Sequence, residues 1–314
     1  MDSKLLITGG LGYVGSFTAK KFLEKNKFKL FSIDNLSRGN KFSGKFSKNE
    51  KLNVSNKKIK KIILKNELNT VFHLASLTCV RESIKKTKKY YNSYQSQIKF
   101  IKNLNNTSIR YFIFSSSLSI FEKNKYKSNL SPYSQYKLRI EKYLKKIASH
   151  NFKVIILRYP NIIGSSEDGK LGEKNSFISR IVPSFYKNII NEQNNTIFYD
   201  FSKKSFPKRN YMHVEDIADL NVKIIQNLKN FKKNYHVFNI NNQKQYSNIN
   251  VLNAISKIIK KKPKYSLKQI NKKESMSQYY KSKDDLTKYI NFNVKYKKLE
   301  TILKTNIKWF KKIY

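Results

Sequence analysis

Cysteine is almost missing from this chain: Cys79 is the single one in 314 residues. One cysteine excludes an intrachain disulfide, and with only four histidines beside it little remains to build a structural zinc site. No apolar run approaches the roughly 20 residues that span a bilayer. The opening MDSKLLITGG enters a strand-like run at once, without a basic stretch, an apolar core and a small-residue cleavage site, so the expectation is a cytoplasmic protein outside any membrane. Acidic residues are scarce too, 20 against 65 Lys plus Arg, which leaves a net charge of +45. Such a balance ordinarily marks a polyanion partner. Here the lysines are spread along the whole chain among abundant Asn, Ile, Tyr and Phe, residue types that share A/T-rich codons. The excess reads as compositional bias and a solvated surface, and nucleic acid is not the expected partner. Against that bias arginine becomes informative. Arg38, Arg81, Arg110, Arg139, Arg158, Arg180 and Arg209 are the only seven, and a planar fork that grips two oxygens is what lysine cannot replace.

Glycine is also rare, nine in all, yet four of the nine fall in the seven residues GGLGYVG. Gly10, Gly12 and Gly15 stand in G-x-G-x-x-G register, and Gly9, Gly12 and Gly15 in the wider G-x-x-G-x-x-G register. The stretch follows the apolar run KLLIT and opens a helical pattern, the context in which bare backbone lets a pyrophosphate approach a helix N-terminus. Asp34 ends the next strand-like run, KLFSID, about 20 residues on. A carboxylate there accepts from both hydroxyls of a ribose and repels a 2′-phosphate, so NAD is expected over NADP, with Arg38 nearby as the residue that would favour a phosphate.

Strand-like and helix-like patterns then alternate through TVFHLAS, YFIFSSS and KVIILRYP, which predicts a parallel sheet with helices on both faces. After Gly164 the alternation weakens, returns with a helix near Val214 and the strand YHVFNI, and gives way from about Gln243 to a Lys-rich part read as mostly helical. The expected architecture is a Rossmann-type doubly wound parallel sheet with a smaller C-terminal substrate-binding lobe. Residues 1–163 with a return at about 209–242 would form the dinucleotide domain, and 164–208 with 243–314 the lobe.

SPYSQYK places Tyr133 four residues before Lys137, on one face of a predicted helix. With 21 Tyr and so many basic residues the pair alone means little. A lysine ammonium near a phenol lowers a pKa that is ordinarily about 10, which would make Tyr133 a base near neutral pH.

The segments LLITGGLGYVGS, IDNLSRG, NTVFHLAS with VRES, YFIFSSS, SPYSQYK, LRYPN and RNYMHVEDIAD run in the order seen in the extended short-chain dehydrogenase/reductase family. Within it the chain most resembles the UDP-glucose 4-epimerases. The resemblance implies a catalytic set of Ser117, Tyr133 and Lys137. It implies a cofactor-binding set of Gly9, Gly12, Tyr13, Val14, Gly15, Asp34, Asn35, Asn53, Val54, Leu74, Ala75, Ser76 and Tyr159, with Tyr133 and Lys137 shared. Asn161, Arg180 and Arg209, with Ser117, would meet a nucleotide-sugar substrate, Arg209 gripping its pyrophosphate. Many members of the family are homodimers through a contact that would include the Tyr133 helix. Some positions differ from the epimerase pattern. Asn53 stands where an acid meets adenine, Ser93, Tyr94 and Gln95 stand for Asn-Asn-Val, Thr78 for a cofactor-facing lysine, and Lys273, Glu274, Ser275 and Met276 for Arg-Glu-Gly-Asp.

Dehydratases and decarboxylases of this kind carry acids just after the serine strand, because elimination needs a further acid or base. Leu118, Ser119 and Ile120 occupy those positions. That leaves three readings: an NAD-dependent sugar-nucleotide epimerase, a 4-ketoreductase using NAD(P)H, and a dinucleotide-binding regulator without catalysis. An intact Ser117, Tyr133 and Lys137 set counts against the last.

Overall fold

The computed structural model describes residues 4–25, 29–38, 49–122, 125–173, 180–242, 244–274, 276 and 285–314. The first half runs β1 (Lys4–Thr8), α1 (Tyr13–Glu24), β2 (Lys29–Asp34), β3 (Asn49–Lys51), α2 (Lys58–Lys65), β4 (Thr70–His73), α3 (Val80–Lys85), α4 (Thr87–Asn103) and β5 (Tyr111–Ser117). The small hairpin β6 (Phe121–Glu122) and β7 (Lys125–Tyr126) precedes α5 (Pro132–Ile147) and β8 (Lys153–Tyr159). Then follow β9 (Asn161–Ile163), α6 (Ile181–Ile190), β10 (Asn195–Tyr199), β11 (Lys208–His213), α7 (Val214–Gln226) and β12 (Tyr235–Asn239). The chain closes with β13 (Gln245–Ser247), α8 (Asn248–Ile259), β14 (Tyr265–Gln269) and α9 (Leu299–Ile313).

Seven strands form one parallel sheet in the order β12-β8-β5-β4-β1-β2-β3. Its central strands are buried over nearly their whole length and carry apolar runs such as Val154 to Leu157, as a sheet covered on both faces requires. From β1 the chain winds outward through β2 and β3, then returns to build β4 on the other side of β1. That reversal opens a crevice at the carboxyl ends of β1 and β4. One face of the sheet packs through Phe17, Phe22, Ile217 and Leu220 of α1 and α7, and the other through Ile63, Phe100, Ile140 and Leu144 of α2, α4 and α5. A second core gathers Val182 and Phe185 of α6, Leu252 and Ile255 of α8, and Leu303 and Phe310 of α9.

Three details differ from the sequence reading. Strand β11 pairs with β9 and β13 in a separate three-stranded sheet, so only β12 of the returning segment joins the main sheet. The tail read as mostly helical contains two strands. All five residues of β14 are exposed and pair only with β10, so no buried face imposes an alternating pattern. TVFHLAS pairs as a strand only to His73, because beyond it the backbone turns over the glycine loop at Gly9. The sequence also predicts a helix near Phe177 to Ile190, and its start lies outside the described residues. Among the described residues no helix is long and apolar enough to cross a membrane.

Candidate active site

Sterics dictate the turn between β1 and α1. Gly9 has φ +72°, and a Cβ on it would stand 2.8 Å from the Ala75 backbone. A Cβ on Gly15 would lie 2.0 Å from the Gly9 carbonyl oxygen. Gly12 is the N-cap of α1, no side chain caps it, and the first turn carries no acid. Tyr13, Val14 and Gly15 thus begin a helix whose positive end is bare, a place where a diphosphate fits.

Asp34 stands beside this turn. Its Oδ2 accepts from Leu11 N at 3.0 Å and its Oδ1 from Leu36 N at 2.7 Å. Burial raises its pKa, and backbone N–H groups of Leu36, Leu11 and Gly12 oppose the rise. The neighbouring amides of Asn35 and Asn53 face their own loops, accepting from Ser37 N and Ser55 N, both at 3.0 Å. Leu52 N donates to Asp34 O at 3.1 Å, which brings the Asn53 segment alongside, while Val54 packs on the core of α2 and α4. A carboxylate oxygen has more than one lone pair, so Asp34 retains capacity for a ribose hydroxyl.

A cavity of about 370 Å³ runs from the glycine turn across the ends of the strands. Gly9, Gly12, Tyr13, Val14 and Gly15 line one end, with Leu74 and Ser76 after β4 and Tyr159 at the end of β8. Ala75 lies behind them against Gly9, its N–H donating to Thr8 Oγ1 at 3.3 Å. The Tyr159 hydroxyl donates to Asn221 Oδ1 at 2.5 Å. Asn161, Arg180 and Arg209 line the rest of the wall.

Ser117 and Tyr133 meet at the middle of this cavity. Ser131 is the N-cap of α5, with Pro132 in its first turn, and this fixes Tyr133 at the start of the helix. Burial raises the Tyr133 pKa; a hydrogen bond with Ser117 and the charge of Arg180 pull it back. Lys137 stands deeper. Its Nζ donates to Ser115 O at 2.6 Å and lies 6.0 Å from the centre of the Tyr133 ring. Burial lowers its pKa to about 7, against the charge of Glu141. The sequence assigned a lowering of the phenol to Lys137; in the structure burial raises it instead, and the groups that oppose the rise are Ser117 and Arg180.

The wall also holds groups the sequence reading did not use. Glu173 pairs with Arg180 Nε at 2.9 Å, and Arg180 Nη2 donates to Thr78 Oγ1 at 2.9 Å. Arg81 binds Glu274 through Nε and Nη2 at 3.0 and 3.1 Å, and its guanidinium lies 3.5 Å from the centre of the Phe198 ring. Arginine scarcity singled out Arg81 and Arg180. Nothing local in the sequence pairs Arg180 with Glu173, seven residues earlier, or Arg81 with Glu274, 193 residues later. Leu118, Ser119 and Ile120, where an eliminating enzyme would carry acids, form a buried single turn.

The comparisons with known proteins agree on one family. A model described as the NAD dependent epimerase/dehydratase family matches residues 5–241. The chain is 28% identical over 273 residues to a UDP-glucose 4-epimerase of Lactobacillus helveticus, 81% of each chain being covered. It is 29% identical over 280 residues to that of Erwinia amylovora, covering 81% of this chain and 82% of the relative. Among solved structures, the UDP-glucose 4-epimerase of Bifidobacterium longum in complex with NAD+ and UDP superposes with a TM-score of 0.88 over 98% of each chain, at 22% identity. The UDP-Glc/GlcNAc 4-epimerase of Campylobacter jejuni does so with a TM-score of 0.79 over 99% of each chain, at 25% identity. The family model covers well over half of the sequence and the shared fold runs end to end: the chain belongs to the NAD-dependent epimerase/dehydratase family.

Proposed function

We propose that the protein is an NAD-dependent UDP-hexose 4-epimerase. The observation that carries this reading is one continuous cavity holding the bare helix end of α1, the Ser117 and Tyr133 pair, and Arg209 at its far side. NAD would lie over Gly12 to Gly15 with Asp34 at its ribose, and when bound it supplies reversible hydride acceptance at C4 of the sugar. Tyr133 takes the proton of the C4 hydroxyl, Ser117 holds that oxygen by a hydrogen bond, and both reverse their roles when the hydride returns. Between the two transfers the 4-keto sugar turns its other face to the cofactor. Arg209 binds the diphosphate, which stays in place as the pivot. The relatives named above are called 4-epimerases, which supports the same assignment. The absence of an acid among Leu118, Ser119 and Ile120 argues against elimination.

The test needs no added cofactor. Denatured protein should release NAD, and the intact protein should interconvert UDP-galactose and UDP-glucose. Release of no dinucleotide, together with oxidation of added NAD(P)H by a 4-keto sugar nucleotide, would replace the epimerase by the ketoreductase reading.

A further inference from the structure

Glu141 lies four residues beyond Lys137 and eight beyond Tyr133, so the three share one face of α5 over about 12 Å. Its side chain is buried, and its carboxylate takes donors from two strands. Ser116 Oγ donates to Oε1 from the end of β5. Arg158, from the end of β8, donates through Nε to Oε1 at 3.0 Å and through Nη2 to Oε2 at 2.6 Å. Ser116 and Arg158 are cross-strand partners, and the next pair in the same register is Ser117 with Tyr159. One carboxylate thus spans the two strands a single residue below the catalytic serine. Arg158 continues outward to the Tyr126 hydroxyl at 3.0 Å and lies 4.9 Å from the Phe121 ring centre, which ties in the β6–β7 hairpin.

A buried ion pair is a weak source of stability, because desolvating two charges offsets their attraction. It does fix geometry, since the bidentate fork accepts only one orientation of the carboxylate. We infer that Glu141 is a positioning residue: held by Ser116 and Arg158, it sets where Ser117 on β5 stands relative to Tyr133 and Lys137 on α5. The inference rests on the epimerase reading of the same site.

The surroundings of Lys137 supply the second strand of the argument. Tyr133, Tyr136 and Glu141 face it from its own helix, Tyr90 and Tyr94 from α4, His73 from β4, and Arg158 stands behind Glu141. Burial holds His73 neutral, with a pKa of about 3. Glu141 is therefore the negative charge opposing the desolvation of Lys137, and its removal should let the ammonium lose its proton at lower pH.

The experiment compares the unmodified protein with Glu141→Gln and with the double variant Glu141→Leu, Arg158→Leu. The single variant strands a buried guanidinium, whereas the double variant replaces both charges by apolar side chains, a swap that is often neutral for stability. Folding is checked by thermal melting, NADH binding is titrated in competition with the resident NAD across pH 5 to 10 by fluorescence, and kcat and KM are measured with UDP-galactose. The expected result is a fall in kcat of about a hundredfold, as for a misplacement near 1 Å, with KM nearly unchanged. The pH midpoint for loss of NADH binding should drop by roughly one unit. Folded variants that keep both the original kcat and the original midpoint would overturn the inference. If the unmodified protein does not turn over UDP-galactose, the epimerase reading falls, and the NADH midpoint alone decides the role of Glu141.

Discussion

Lys137 is a positive charge held where water is excluded, and its two consequences, for catalysis and for stability, point in opposite directions. Its folded pKa of about 7 lies below the ordinary lysine value near 10.4. The unfolded chain therefore binds the proton more tightly, and the cost to the fold is full below about pH 7 and fades as pH rises towards 10.4. Lys137→Met should lose turnover yet melt higher than the original protein at pH 6, the difference shrinking by pH 10; calorimetry at the two pH values checks the sign. Tyr133→Phe removes one hydroxyl and little volume. It should cost about 10²- to 10⁴-fold in kcat while UDP and NAD still bind, as read by equilibrium titration. Arg180 opposes the rise that burial imposes on the Tyr133 pKa, so Arg180→Gln should move the acid limb of the kcat/KM profile to higher pH; an unmoved limb would remove Arg180 as a tuning charge. At this scale the spacing offered Tyr133 with Lys137 and the resemblance added Ser117, and the structure brings the three side chains together. The pairing of Glu173 with Arg180 and of Glu274 with Arg81 could not be read from the sequence, because the fold makes these ion pairs across 7 and 193 residues of chain.

The glycine turn and α1 were the most readable element, since a backbone packed this closely tolerates no side chain. The Cβ that Gly15→Ala would add meets the Gly9 carbonyl at 2.0 Å, and that is backbone, not the yielding end of a side chain. The variant should lose about 1 to 3 kcal/mol of stability and bind NADH at least tenfold more weakly, measured by thermal melting and fluorescence titration. Asp34 also belongs to this element, since its carboxylate holds Leu11 N and Leu36 N. Asp34→Ala should therefore loosen the turn as well as relax the preference for NAD over NADP. Short strands on the periphery were illegible for the opposite reason. The five residues of β14 bury no face and pair with one neighbour, so nothing in YSLKQ distinguishes strand from coil.

Across the whole molecule the parallel sheet could be read because each strand and helix follows its neighbour in sequence, whereas the second core joins segments from Val182, Ile197, Leu252 and Phe310 that no local pattern connects. The same separation governs the basic end of the cavity, where α3, β11 and the segment at Lys273 and Glu274 converge. Arg81 there faces Glu274, and Arg180 nearer the centre faces Glu173. Arg209 is presented by β11, and its Nη1 donates to the Lys208 carbonyl at 2.9 Å. The role proposed for Arg209, in a chain with 65 basic residues of which seven are arginine, uses what lysine lacks: a planar fork that can hold two diphosphate oxygens at once. Arg209→Lys preserves the charge and removes the fork. Losing one charge-assisted hydrogen bond costs about 1.5 to 3 kcal/mol, roughly ten- to a hundredfold in affinity. UDP should bind more weakly by that factor while the amount of NAD released on denaturation stays the same. Calorimetric titration of both proteins with UDP decides it: equal affinities would remove Arg209 from the substrate site and with it the diphosphate pivot on which the two-faced hydride transfer depends.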